Sequence, residues 1–179
     1  MAMMKRVVFL VALALSLWGC SSSVSTGNAT AEDDLPNAPT FELAKVEGGS
    51  LKSVDFKGKV LVVDFWATWC APCIREIPNY NALYEKYKDK GVQFIGITLE
   101  SGPLDDIKPK VAEFKMQYPV VVGTEDVVKD FGGTIGFPTT FVVTPGGKIH
   151  HKYLGETPNK KEALEKEITD LLAQANANP

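Results

Sequence analysis

Hydrophobic residues beyond position 39 fall into short, dense runs that alternate with segments of helical spacing. The runs at 60–65 and 92–99 are almost continuously apolar, which is typical of strands that are covered on both faces. Between them, large side chains recur every three or four residues and indicate a helix over about residues 71–88. The residues of that stripe are Ile77, Tyr80, Tyr84 and Tyr87. This region therefore predicts two buried strands joined by a helix.

Two short strands are predicted before this unit and a hairpin after it. Short apolar runs at 41–46 and 51–54 flank Gly48-Gly49. Runs at 139–143 and 149–154 flank Pro145-Gly146-Gly147, which is a strong hairpin signal.

The remaining elements are two helices, a short strand and a terminal helix. We predict a helix over 109–117 with Pro109 in its first turn, a strand at 120–122 and a helix over 125–131. The last helix is predicted to begin with Thr157 as N-cap and Pro158 at its first position. Its buried stripe is predicted to be Ala163, Leu164, Ile168, Leu171 and Leu172, and its Lys and Glu residues a solvated face. A βαβ unit followed by ββα predicts an α/β fold with a mixed sheet and helices on both faces.

The first 38 residues differ from the rest. Lys5 and Arg6 precede an apolar run at 7–17, too short to span a bilayer but suited to a signal peptide over 1–19. Leu17-Trp18-Gly19-Cys20 resembles a bacterial lipobox, so we expect Cys20 to carry a lipid that anchors the chain to a membrane. The polar stretch that follows predicts a flexible tether over 20–38. The alternative is an ordinary secretory signal with an incidental cysteine.

The charge of the chain argues against a nucleic acid partner. The net charge is −3, and removing Lys5 and Arg6 with the leader brings it to −5. No basic cluster lies outside the leader, so we expect no nucleic acid partner.

Two cysteines remain once Cys20 is set aside, and they form the pair Cys70-Ala71-Pro72-Cys73. This pair follows a buried strand and opens a helix, which places the two sulfurs within disulfide reach. The unpaired amides and dipole at the helix N-terminus favour the thiolate of Cys70. We therefore expect Cys70 to be the nucleophile and Cys73 to resolve the mixed disulfide that it forms.

A zinc site is the competing interpretation of the cysteine pair. Structural zinc usually takes four protein ligands, and only His150 and His151 could complete the set. Adjacent strand residues point to opposite faces, so we expect one histidine inward, one outward, and no metal.

Several segments resemble a known family. They are Asp64-Phe-Trp-Ala-Thr-Trp69-Cys70-Ala-Pro-Cys73, Glu76-x-Pro78, Gly136-Phe-Pro138-Thr-Thr-Phe141 and Thr144-Pro-Gly-Gly147. In this order they resemble the thioredoxin fold, and within it the membrane-anchored TlpA/ResA-like thiol-disulfide oxidoreductases. The resemblance implies a thioredoxin-like three-layer α/β/α domain with a central mixed sheet over 39–175.

Five residues around the cysteines are expected to have roles, and the same resemblance implies all of them except that of Trp69. Pro138 is expected to be cis and to pack beside the disulfide, leaving the backbone of Phe137 free to pair with an extended client segment. Trp69 is expected to touch the partner. Asp64 matches the buried acid of thioredoxin, a proton acceptor for Cys73, although TlpA-like chains often carry Asn there. Glu100 matches a glutamate near the active site of ResA-like proteins. The alternatives are a structural acid at Asp64 and a solvated strand end at Glu100.

The function implied is an extracytoplasmic, periplasm-facing reductant of client disulfides. It would take electrons from a membrane thiol reductase and pass them to clients such as apocytochrome c, with no cofactor beyond the Cys70–Cys73 pair. Three alternatives stay open: a disulfide oxidant or isomerase, a thiol peroxidase and a metallochaperone. The oxidant is disfavoured because no histidine lies between the cysteines. The peroxidase is suggested by Pro39-Thr40-Phe41, which resembles the opening of peroxiredoxin-like domains, but Pro-x-x-x-Thr-x-x-Cys is absent.

Overall fold

The computed structural model describes residue 32, residues 34–133 and residues 135–177. The predicted signal peptide and Cys20 lie outside the described residues, as does most of the predicted tether. No described helix is long and apolar enough to span a bilayer.

A five-stranded mixed sheet forms the centre of the fold. Its order is β5-β4-β3-β6-β7, with β3, β4 and β5 parallel and β6 and β7 antiparallel to their neighbours. The strands of this sheet are β3 (Val60–Trp66), β4 (Val92–Thr98), β5 (Val120–Val122), β6 (Thr139–Val143) and β7 (Ile149–Leu154). A separate hairpin pairs β1 (Glu42–Ala44) with β2 (Ser50–Lys52). The predicted mixed α/β sheet is confirmed.

The described residues also form four α-helices: α1 (Ala71–Tyr87), α2 (Leu104–Glu113), α3 (Glu125–Asp130) and α4 (Lys160–Ala177). Helices α1 and α4 pack on one face of the sheet, over Val60 and Val62 of β3. The β1–β2 hairpin and α3 cover the other face, over Leu61, Val63 and Phe65. Strand β3 is therefore buried along its whole length, as its apolar run predicted.

Helix α2 begins five residues before its predicted start. Pro109 lies inside the helix rather than in its first turn. Two features favour the earlier start: Asp105 and Asp106 occupy the first turn, where acidic side chains suit the helix dipole, and Ile107 and Val111 bury the same face.

The predicted start of α4 at Thr157 and Pro158 is also wrong. Asn159 has a φ of +56°, which breaks the helical backbone, and the helix begins at Lys160. Asn is among the residues that tolerate this left-handed conformation. Ala163 is exposed, whereas Leu164, Ile168 and Leu171 are buried as predicted.

The fold begins slightly before the predicted boundary at residue 39. The amide of Ile149 donates to the carbonyl of Pro36 at 2.8 Å, and the amide of Ala38 donates to the carbonyl of Gly147 at 2.8 Å. Residues 36–38, assigned to the tether from sequence, therefore pair with the β6–β7 hairpin.

Candidate active site

The two cysteines lie where β3 gives way to α1. Cys70 is the N-cap of α1, and its Sγ accepts a hydrogen bond from the amide of Cys73 at 3.3 Å. The two side chains form a disulfide with a Cα–Cα distance of 5.3 Å. Pro72 stands in the first turn, where its missing amide hydrogen leaves no helical bond unmade. After reduction, the Cys73 amide and the N-terminal end of α1 stabilise negative charge on Cys70.

Trp69 forms an exposed rim beside the disulfide. Its side chain is 60% exposed, while Cys70 and Cys73 are 4% and 2% exposed. The indole Nε1 donates to the backbone carbonyl of Glu100 at 2.8 Å, and the ring meets Phe137 edge-to-face at a centroid distance of 5.7 Å. These two contacts hold an apolar surface next to the buried cysteines.

Glu100 reaches the site through its backbone. It follows β4 with a φ of +49°, and its side chain is exposed. The next residue, Ser101, anchors the active-site loop: its Oγ accepts from the amide of Thr68 at 2.9 Å and donates to the carbonyl of Leu99 at 2.9 Å. The structure thus places Glu100 next to Trp69, and a role for its carboxylate stays a prediction.

The Phe137–Pro138 peptide bond is cis, as the family resemblance implied. Pro138 is buried, and Phe137 packs partly against the apolar cluster that contains both cysteines. The Phe137 backbone makes no hydrogen bond to another described residue. A cleft of about 410 Å³ lies beside it, and its lining includes Leu99, Glu100, Glu125 and Phe137. Trp69 and this cleft together give the site an open flank.

Asp64 is buried in the middle of β3, at 3% exposure. Burial raises the pKa of its carboxyl from 3.8 to about 7, because desolvation disfavours the charged form; Lys160 and a hydrogen bond from Thr140 oppose this, and Glu76 adds to it. The Thr140 Oγ1 lies 2.9 Å from Asp64 Oδ1. A carboxyl that titrates near neutral pH can both accept and release a proton under ordinary conditions.

Sequence analysis missed two buried charged residues near Asp64. The Nζ of Lys160 lies 3.0 Å from Oε2 of Glu76, and their side chains are only 4% and 8% exposed. Lys160 was assigned to a solvated face, which is wrong for this residue. Helical spacing held a signal: Glu76 lies four residues before Tyr80 and Lys160 four before Leu164, so both share a face with buried residues.

His150 and His151 are both exposed, so the prediction that one points inward is wrong. The pairing of β6 with β7 shifts at this point, because Val142 pairs with His151 while Val143 pairs with Ile149. His150 is the extra residue of this bulge and the strict alternation of sides is lost. His151 instead contacts Glu167, with 2.6 Å between Nδ1 and Oε1.

Comparisons with known proteins agree with this geometry. Residues 36–152 match the model of the AhpC/TSA family. The chain is 34% identical over 171 residues to the thiol-disulfide oxidoreductase ResA of Bacillus thuringiensis, covering 93% of this chain and 96% of the relative. A crystal structure of a thiol:disulfide interchange protein of the thioredoxin family from Chlorobium tepidum is 29% identical with a TM-score of 0.70, over 77% of this chain and 97% of that one. The thioredoxin domain of a thiol-disulfide oxidoreductase from Bacteroides vulgatus is 31% identical with a TM-score of 0.66, over 74% and 95%.

The raised pKa of Asp64 predicts a stability that falls as the pH rises from about 4 to 7. In this window the unfolded chain ionises Asp64 while the folded protein keeps it protonated, so the folded state binds more protons. At 1.36 kcal/mol per pKa unit, the free energy of unfolding loses about 4 kcal/mol across the window. Asp64→Asn has no such titration, and we expect its stability relative to wild type to rise by about that amount between pH 4 and pH 7.

Urea unfolding of the oxidised protein at several pH values measures this difference. Asp55→Asn, at an exposed aspartate, is the matched control and should follow the wild-type profile. Parallel profiles for Asp64→Asn and wild type would show that Asp64 has an ordinary pKa.

Proposed function

This chain belongs to the AhpC/TSA family and is a thiol-disulfide oxidoreductase of the thioredoxin fold, and from that premise we propose that it reduces disulfides of client proteins outside the cytoplasm. The observation that carries the proposal is the position of Cys70. It is the N-cap of α1, accepts the Cys73 amide on its sulfur and lies below an exposed tryptophan.

The proposed reaction proceeds in two exchanges. The Cys70 thiolate attacks one sulfur of a client disulfide, forms a mixed disulfide and expels the other client sulfur as a thiolate. The Cys73 thiol loses its proton to Asp64 and attacks Cys70 Sγ, which releases the second client sulfur. Two electrons pass to the client, and the Cys70–Cys73 bond holds the oxidised state. The reaction uses this dithiol and no added cofactor.

The residues between the cysteines favour the reducing direction. Ala71 and Pro72 carry no charge, so they add nothing to the stabilisation of the Cys70 thiolate. Strongly oxidising pairs owe their potential to a stabilised reduced form. A membrane thiol reductase would then return the pair to the dithiol after each turnover.

The open flank of the site suits an extended client segment. The unpaired backbone of Phe137 offers main-chain hydrogen bonds, a mode of recognition that makes little demand on sequence. Trp69 offers an aromatic surface, and Glu100 and Glu125 give the adjacent cleft a negative charge. Disulfide-bearing clients with neutral or basic segments fit this surface, and family resemblance suggests apocytochrome c among them.

Trapping tests the assignment of the two cysteines. Cys73→Ser removes the resolving thiol, so mixed disulfides formed by Cys70 should persist. We expect client adducts that are stable without reductant and disappear with it, read by non-reducing electrophoresis and mass spectrometry. Cys70→Ser is the matched control and should form none. Equal adduct formation by both variants would contradict the assignment of Cys70 as nucleophile.

The reduction potential tests the direction of the reaction. We expect the Cys70–Cys73 pair to equilibrate near the thioredoxin value of about −270 mV, because no residue between the cysteines stabilises the thiolate further. Redox titration against glutathione or dithiothreitol measures it. A value near about −120 mV would instead assign the protein as a disulfide oxidant.

Anchoring through Cys20 is the proposed means of localisation. Because residues 36–38 pair with the β6–β7 hairpin, the tether shortens to about 15 residues, with an r.m.s. span of roughly 20 Å, which suffices to lift the domain clear of lipid headgroups. The domain would then face the periplasm from either the inner or the outer membrane.

Cell fractionation tests the anchor. We expect the wild-type protein in the membrane fraction and Cys20→Ala in the soluble extracytoplasmic fraction, because one acylated residue supplies the attachment. Density separation of the two membranes then identifies which one holds the protein. Membrane association of Cys20→Ala equal to wild type would contradict lipid attachment at this residue.

A further inference from the structure

A continuous row of buried side chains joins Asp64 to Glu76, which lies three residues after Cys73 in α1. Thr140 Oγ1 lies 2.9 Å from Asp64 Oδ1, and the Tyr80 hydroxyl lies 2.9 Å from Thr140 Oγ1. The same Tyr80 hydroxyl lies 3.0 Å from Oε2 of Glu76. We call these four residues the buried relay. It connects the central strands β3 and β6 to helix α1 and brings together residues 76 positions apart in the chain.

The buried relay has three oxygen–oxygen contacts, but its two hydroxyl groups supply only two hydrogens for them. Each hydroxyl donates one hydrogen bond, so Thr140 and Tyr80 provide two protons for three oxygen–oxygen contacts. If both carboxyls are ionised, one of the three contacts has no hydrogen between its oxygens. One proton on either carboxyl completes the row, and every hydrogen bond then points in the same direction along it. Burial raises the pKa of Tyr80 well above 10, so its hydroxyl keeps its proton throughout.

The charged groups around the relay set where the additional proton rests. Lys160 Nζ lies 3.0 Å from Oε2 of Glu76 and faces the rings of Tyr80 and Tyr153 at 5.6 and 5.7 Å. Its positive charge favours the negative charge on Glu76. Among the described residues no cation forms an ion pair with Asp64, and desolvation in the sheet outweighs the more distant charge of Lys160, so the proton rests at the Asp64 end.

The Glu76 end approaches solvent. A shallow cleft of about 270 Å³ is lined there by Arg75, Glu76, Asn159 and Lys160 among others. Arg75 and Glu156 form an exposed ion pair at this cleft, with 2.6 Å between Nη2 and Oε2. Tyr118 packs on Tyr80 at a centroid distance of 6.4 Å, but its buried hydroxyl contacts no polar group of the described residues.

We infer that Asp64 and Glu76 share one proton through Thr140 and Tyr80, and that this row carries the proton released by Cys73 towards the Lys160 cleft. The inference rests on the proposed function, because it gives a destination to the proton that Asp64 takes from Cys73. Thr140, Tyr80 and Glu76 are positioning residues that act through Asp64, and none of them touches the sulfurs.

The transfer balances proton by proton. At rest the shared proton lies on Asp64, and its transfer along the row to Glu76 leaves Asp64 ionised. The ionised Asp64 then takes the proton of the Cys73 thiol. Glu76 then releases its proton to solvent at the cleft. The Asp64 carboxyl donates its proton to Thr140, Thr140 passes its own proton to Tyr80, and Tyr80 passes its own to the Glu76 carboxylate. No bond other than O–H and S–H bonds changes along the row. The relay thereby returns Asp64 to the ionised state without opening the disulfide site to water.

The test uses full-length protein and two matched pairs of variants. Tyr80→Phe removes the central hydroxyl, and Tyr118→Phe removes a buried hydroxyl of the same cluster that lies outside the relay. Thr140→Val removes the other hydroxyl with little change of shape, and Thr140→Ser retains it. The reduced proteins are oxidised with saturating cystamine, where closure of the Cys70–Cys73 bond limits the rate, and followed by tryptophan fluorescence from pH 6 to pH 9 in H₂O and D₂O.

We expect Tyr80→Phe and Thr140→Val to close the disulfide about tenfold more slowly at pH 7, a part of the roughly 10²–10⁴ that positioned proton transfer contributes. The defect should disappear by about pH 9, because hydroxide then removes the thiol proton directly. Tyr118→Phe and Thr140→Ser should match wild type. Rates for Tyr80→Phe equal to those for Tyr118→Phe across the pH range would overturn the inference.

A second measurement needs no catalysis. Carboxyl ¹³C NMR of the oxidised protein should show a different titration of Asp64 in Tyr80→Phe than in wild type, because the proton of Asp64 is then no longer shared along the row. Identical titrations in the two proteins would overturn the shared proton, even where Tyr80→Phe is destabilised but folded. If wild type closes its disulfide but fails to reduce client proteins, the proposed function falls and this titration still decides on the relay.

Discussion

The burial of β3 on both faces is the constraint on which the site depends. This strand pairs with β4 on one side and β6 on the other, and every one of its residues is buried. A strand fixed in this way delivers its last residues at a defined position, so the following loop places Cys70 at the N-terminus of α1. The sulfur of Cys70 is therefore positioned by the most deeply buried strand of the sheet, while the neighbouring Trp69 side chain projects into solvent.

Three charged residues are buried near this strand, and their burial destabilises the fold unless other groups satisfy them. Asp64, Glu76 and Lys160 are removed from water, and a buried ionic group destabilises a fold unless partners satisfy it. Here each has such partners: Thr140 for Asp64, and Tyr80 and Lys160 for Glu76. The Lys160–Glu76 ion pair is not needed for stability, since replacing a buried ion pair by well-packed apolar groups is often neutral or stabilising. Stability alone therefore does not explain these buried charges, whereas the proposed role in moving protons does.

The exposed part of the site suits client binding, and its buried part holds the groups that would exchange electrons and protons. Trp69, the Phe137 backbone and the acidic cleft face outwards, where an extended segment could lie. The sulfurs lie just below, at the helix end that stabilises a thiolate. The row from Asp64 to Glu76 is buried in the core. The proposed steps of client recognition, electron transfer and proton transfer would thus follow one another from the surface to the core.

The amino-acid sequence determined the features that depend on local interactions. The apolar run of β3, the cysteine at the first turn of α1 and the β6–β7 hairpin are each encoded within a few neighbouring residues, and each lies where the sequence predicted. Features that depend on distant parts of the chain were decided by tertiary structure alone. Lys160 and Glu76 meet across 84 positions, and periodicity cannot reveal that the first residue of α4 turns inward to a carboxylate on α1. The starts of α2 and α4 and the bulge at His150 belong to the same class, because packing and backbone conformation there override local preference. Local propensities fix which element a residue joins, whereas the pairing of buried charges is fixed only when the elements pack together.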